Sequence, residues 1–243
     1  MDFRLRQLEI RYKEGDDEAG AQLLSAMIRS GLVAPHKAEL AAIYQHPVAM
    51  RVFDEPFADY GKRDEERLLP LSLRNYNQIA PWTSEVYIRR LYTLAKWSAF
   101  TLEKDLELLS ESLHLAIFEM IQRYLQTGAC DKSEWQRLHE EAAIRAQGYE
   151  YQLHDGMLAQ HYSWLAVAAA ASSVNGDNAH GMVSDSGPAW ACTAMAALES
   201  HLGLRDPTLP ENPQENFGPN VMEGAYREMA KELVPWLLGP FPA

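Results

Sequence analysis

Apolar side chains along this 243-residue chain recur every three or four positions almost throughout, and no run alternates β-branched with polar residues as a half-buried strand would. The pattern predicts an all-α fold, a multi-helix bundle or helical-repeat-like array. In residues 104–127, KDLELLSESLHLAIFEMIQRYLQT, the positions Leu106, Leu109, Leu113, Ala116, Ile117, Met120, Ile121 and Tyr124 form one stripe, and Gly128 follows as a stop, predicting a single long helix. Another is expected from Asp131, with Glu134 reaching back to complete a capping box and Trp135, Leu138 and Ala142 turned inward; Gly148 is placed to kink or end it.

Further helices follow from local signals. PWTSEVYIRRLYTLAKWSAF offers Thr83 or Ser84 as N-cap, then Val86, Ile88, Leu91 and Leu94 or Ala95 as its apolar stripe. Pro188 is read as opening a helix that ends near Gly203, Asn220 with Glu223 as a capping box for the last helix, and Pro235 as its end or bend. The first 56 residues differ in texture: helices near 3–13 and 16–30 and another from Pro35 are separated by GDDEAG and SGL, giving short hairpins over 1–56 packed on a bundle over 57–243. Residues 174–187 and 204–219 are rich in turn formers and proline, and loops of this length often carry function.

One stretch, YEYQLHDGMLAQHYSWLAVAAAAS (149–172), raises the question of chemistry. On a helix Glu150, His154 and His161 fall within roughly 40° of one another, as ligands or an acid/base pair would. Yet the two histidines are about 10 Å apart along the axis, and Glu150 and His161 about 16 Å, so one ion cannot take both histidines. The same face carries Leu158, Trp164, Leu165 and Ala168, the signature of a helix packed in a core. Glu111 and His114 make a single ExxH, which a helix-packing histidine beside a solvent-facing glutamate explains, and His139 with Glu140 and Glu141 reads as a solvated face. No nucleophile elbow, phosphate loop, dinucleotide fingerprint or HExxH occurs, so neither metal nor cofactor is expected.

Charge narrows the partners. With 34 acidic against 22 basic residues and a formal charge of −12, the chain is expected to avoid nucleic acid and anionic membranes and to suit a basic protein partner. Cys130 and Cys192 stand far apart without a metal-like or disulfide-framework spacing, the beginning of the chain lacks a leader-like apolar run, and Trp164 to Ala171 is too short to span a bilayer; these point to a cytoplasmic setting. Residues 146–204 contain no Lys or Arg while keeping Glu150, Asp155, Asp177, Asp185 and Glu199. Either the helices there are central, or these five carboxylates form an acidic docking face beside the 174–187 loop, with Tyr162 or Trp164 as anchors if exposed.

Within the first fifth of the chain, GDDEAGAQLLSAMIRSGLVAPHKAELAAIYQHPVAMRVF resembles an N-terminal helical segment of some uncharacterised bacterial proteins, in which GD-x2-A-x3-LL is followed by LAA and HP-x-A; Gly15, Asp16, Ala19, Leu23, Leu24, Leu40, Ala41, Ala42, His46, Pro47 and Ala49 match. Some such proteins continue into alanine-rich helices with scattered histidines and resemble immunity proteins of bacterial toxin systems, a pattern with which Trp164 to Ala171, His154 and His161 are compatible. With the acidic charge, this implies a non-enzymatic protein that neutralises a basic toxin domain by occlusion. Two alternatives stand beside it. One is an α-helical enzyme gathering Glu150, His154, His161 and His180. The other is a helical-repeat adaptor whose grooved surface lies on residues 1–56.

Overall fold

In a computed structural model the chain is all-α, with no strand among the described residues, which are 3–53, 81–106, 112–149, 155–174, 186–205, 208 and 217–242. It divides into two compact units, one made of Met1–Ser72 with Tyr226–Ala243 and the other of Leu73–Ala225. The N-terminal hairpins expected over 1–56 therefore share the first unit with residues from the last helix.

In the first unit α1 (Phe3–Lys13) packs on α2 (Asp17–Arg29), α2 on α4 (Pro47–Phe53), and α4 on α3 (Pro35–Ile43). The matched sequence pattern does structural work here. Gly15 turns the chain at φ +96°, and Asp16 caps α2 by accepting the Ala19 N–H at 3.0 Å. Leu23, Leu24, Leu40, Ala41 and Ala42 are buried. His46 stands at the N-cap of α4, its Nδ1 accepting the Ala49 N–H at 3.3 Å, with Pro47 as the first helical residue. The later turns of α10 (Pro219–Leu238) complete this core: Tyr226 meets Tyr44, Lys37 lies 4.1 Å over the Trp236 ring, and Phe241 beyond the helix packs on Tyr12 and His46.

The second unit is organised around α8 (Asp155–Ser172), which packs against α5 (Pro81–Leu106), α6 (Ser112–Thr127), α7 (Lys132–Tyr149) and α9 (Ser186–His201). Small side chains let these helices approach closely. Ser98 of α5 and Ser163 of α8 share a buried hydroxyl–hydroxyl bond at 3.1 Å, and a Cβ at Gly187 of α9 would fall 2.4 Å from Leu91 Cδ2.

Several boundaries depart from the sequence reading. Of the helix expected over 104–127, the described parts belong to α5 up to Leu106 and to α6 from Ser112, and 107–111 lie outside the described residues. Helix α5 opens at Pro81, so Thr83 and Ser84 are inside it, and α10 opens at Pro219, so Asn220 is inside it rather than capping. In both, proline at the first helical position costs no hydrogen bond. Pro235 does not end α10, which runs on to Leu238; the residue is exposed, where a carbonyl deprived of its partner faces water. Asp131 does cap α7, accepting the N–H groups of Ser133 and Glu134 at 2.9 and 3.0 Å, but Glu134 pairs with Arg123 of α6 instead of reaching back.

Candidate functional site

Of the eight residues singled out from sequence, two have described side chains. Glu150, His154, Asp177, His180 and Asp185 lie outside the described residues, and Asp155 is known only as the first residue of α8. The shared-face geometry drawn for Glu150 and His154 therefore falls outside them as well.

His161 is half-buried, and its Nδ1 donates to the Ala146 carbonyl of α7 at 2.8 Å while its ring edges onto Tyr162. This bond fixes the tautomer and ties α7 to α8, the work of a satisfied packing histidine. Among the described residues no group of three or more His, Cys, Asp or Glu is placed to hold a metal ion.

Glu199 is half-buried near the end of α9, and burial pushes its carboxyl upward against the opposing pull of Arg205. The helix closes in a Schellman motif: Leu204 N–H donates to the Glu199 carbonyl at 2.8 Å, Gly203 N–H to that of Ser200 at 3.1 Å, and Gly203 turns at φ +68°. In such a cap the residue after the glycine usually packs back on the helix. Here Leu204 is 66% exposed and Leu202 43%, so the two leucines turn apolar surface outward next to Glu199.

The missing lysines of 146–204 have a packing cause over much of that range. Most described side chains of α8 and α9 are buried, including Ala166 to Ala171 and Ala191 to Leu198, and a lysine at such a place would bury an unpaired charge. Tyr162 and Trp164, considered as docking anchors, are buried too, because α8 is the central helix, and cannot meet a partner.

Two histidines read from sequence come out differently: His114 packs as expected but against an unforeseen carboxylate, and His139 departs from its reading. His114 is 1% exposed in a cage of Phe100, Phe118 and Trp164, with its Nε2 3.7 Å from Glu103 Oε2 of α5. The ExxH spacing directed attention to Glu111, which lies outside the described residues, whereas Glu103 is eleven positions away and on another helix. His139, expected on a solvated face, instead stacks on Trp135 at 5.2 Å, and burial lowers its pKa. The Trp135 indole N–H donates to the Ala171 carbonyl at 2.8 Å.

Open hollows lie on the N-terminal hairpins. One of about 600 Å³ crosses α2 between α1 and α4, with Leu8, Ala21, Ser25 and Ala26 as floor and Arg4, Arg29 and Arg51 among its rim; a second of about 620 Å³ runs along α1 past Ile10 and Arg11. They share Arg4, Leu8 and Gln22, so the two hollows adjoin and together make a track along this surface. A further hollow of about 630 Å³ lies along α7 by Glu141, Ile144, Arg145 and Gly148. No described helix is long and apolar enough to cross a membrane. Comparison with known protein families, curated proteins and solved structures returns no match.

Proposed function

We propose that this chain acts by binding another protein, with the track on its N-terminal hairpins as the docking surface. The observation that carries this reading is the pair of adjoining hollows over α1, α2 and α4, in which Leu8, Ala21 and Ala26 lie beside Ser25 and Gln22 within a rim of arginines, apolar contact ringed by polar groups as at a docking site. Deleting residues 1–56 would be a poor test, because Tyr226, Trp236 and Phe241 would lose the rings and the cation they pack on. Ser25→Trp fills the floor from an α2 position that is only half-buried. Helix content and melting should stay as in wild type while partners captured from the native host are lost. Capture that is unaffected by the tryptophan refutes this docking surface.

A second reading keeps a basic protein partner, such as a toxin domain that acts on nucleic acid, on the acidic 146–204 stretch, occluding the groups that the partner would use on phosphates. The formal charge of −12 supports it, as does the Glu199 turn with its outward Leu202 and Leu204, an apolar centre beside a carboxylate. On this reading Asp177→Lys with Asp185→Lys slows association at low salt and has little effect at high salt, since rim charges steer approach. Equal association rates for wild type and the double variant at low salt refute it.

A further inference from the structure

We infer that the occupant of the N-terminal track is an extended acidic segment of a partner protein, an inference that rests on the docking reading above. Three observations converge on it. The first is sign. Residues 3–53 carry seven basic and six acidic side chains, against 22 and 34 in the whole chain, so the excess negative charge lies elsewhere. Within this near-neutral segment Arg4, Arg29 and Arg51, from three different helices, converge on one hollow that also holds Glu18.

The second is how these guanidinium groups are engaged. Arg11 is committed to Asp16, with Nε at 3.0 Å. Arg51 has only a long contact of 3.7 Å to Asp17, with both side chains about half exposed. Arg29 closes α2, and no carboxylate among the described residues comes within 4.0 Å of it. Arg29 and Arg51 can therefore receive carboxylates at little cost in bonds already made, and a guanidinium presents a two-toothed donor edge to that group.

The third is shape. The two hollows adjoin at Arg4, Leu8 and Gln22, and the second follows α1 from Arg4 to Arg11, about 10 Å at the helical rise of 1.5 Å per residue. Extended peptide advances about 3.3 Å per residue, so the α1 side alone spans roughly three residues and the α2 crossing adds more. A compact anion would occupy one end of such a track and leave the rest empty. Ile10, 57% exposed on the α1 side, gives an apolar side chain of the same peptide a surface to cover.

The test uses the full chain and three fluorescent ten-residue peptides in which leucine alternates with glutamate, glutamine or lysine. By fluorescence anisotropy the glutamate peptide should bind at least tenfold more tightly than the glutamine peptide, and the lysine peptide should not bind. Arg29→Glu and Arg51→Glu should each weaken the glutamate peptide about tenfold. Arg137→Glu, on exposed α7, makes the same change in net charge and should leave it within twofold. Similar affinity for the glutamate and glutamine peptides, preference for lysine, or equal losses from Arg137→Glu and Arg29→Glu overturns the inference. If Ser25→Trp abolishes partner capture while the glutamate peptide fails to bind wild type, the docking surface stands and its acidic occupant falls. If the tryptophan leaves capture intact, the docking reading itself fails.

Discussion

A methyl group at position 20 tests how the first unit is packed. Gly20 lies inside α2, where a Cβ would stand 2.7 Å from Tyr12 Cδ2 and 2.9 Å from Val48 Cγ2. Carbon atoms in contact settle at about 3.5–4.0 Å, so each neighbour must retreat by well over half an ångström. Neither has room to do so: Val48 is buried, and the Tyr12 ring is packed on Phe241 at a centroid distance of 5.2 Å. Overpacking a core costs about 1–3 kcal/mol, against which alanine in place of a helical glycine returns about 1 kcal/mol. Gly20→Ala should therefore destabilise the unit by up to about 2 kcal/mol. Gly148→Ala is the matched control, the same exchange within α7 with nothing within 4 Å of the added carbon, and it should be neutral or stabilising by up to about 1 kcal/mol. Differential scanning calorimetry reads both. In a unit of fewer than a hundred residues, each kcal/mol moves the midpoint by about 4–8 °C. A Gly20→Ala protein melting at or above wild type would refute the close approach of α2 to Tyr12 and Val48.

Two further outcomes follow from burial. His46 caps α4 through a neutral Nδ1, and burial lowers its pKa, so the unfolded chain takes up a proton near pH 6.5 that the folded chain refuses; this contribution to stability is present above about pH 6.5 and declines as pH falls below it. Urea unfolding between pH 7.5 and 5 should show that decline, reduced in His46→Asn because asparagine caps without titrating; an unchanged slope in the variant would count against it. Burial pushes the Cys192 thiol up to about 12, whereas Cys130 is half exposed, so iodoacetamide should label Cys130 in the native protein and Cys192 only after unfolding. Native labelling of Cys192 at a comparable rate would contradict its placement in the core of the second unit.

The helices were legible where a periodic stripe met a residue that forces a stop. Gly31, Gly128 and Gly203 all sit at positive φ where sequence placed breaks, and Asp16 and Asp131 cap the helices that follow them. Helix starts were misplaced at Thr83 and Asn220 because a competent capping side chain nearby outweighed the quieter signal of a proline one or two residues earlier. Candidate chemistry was less accessible. The Lys- and Arg-free stretch was visible in composition, and the first of its two readings, central helices, matches the burial of α8 and α9, which the alanine run already suggested. The arginine-rimmed track was invisible. Arg4, Arg29 and Arg51 follow no motif spacing, and only the folding of three helices gathers them.

The manner in which the first unit is closed also sets a schedule for its synthesis. Tyr44 is fully buried, and Tyr226 is among the rings that meet it, yet they stand about 180 residues apart in the chain. At roughly 5–20 residues per second, a ribosome needs about 10–40 s to travel from one to the other. Through that interval Tyr12, Tyr44, His46 and the small residues around them emerge without the side chains that later cover them. A nascent chain stalled before residue 226 should thus be more readily cut by protease within residues 3–53 than the full-length protein, and more readily held by a chaperone.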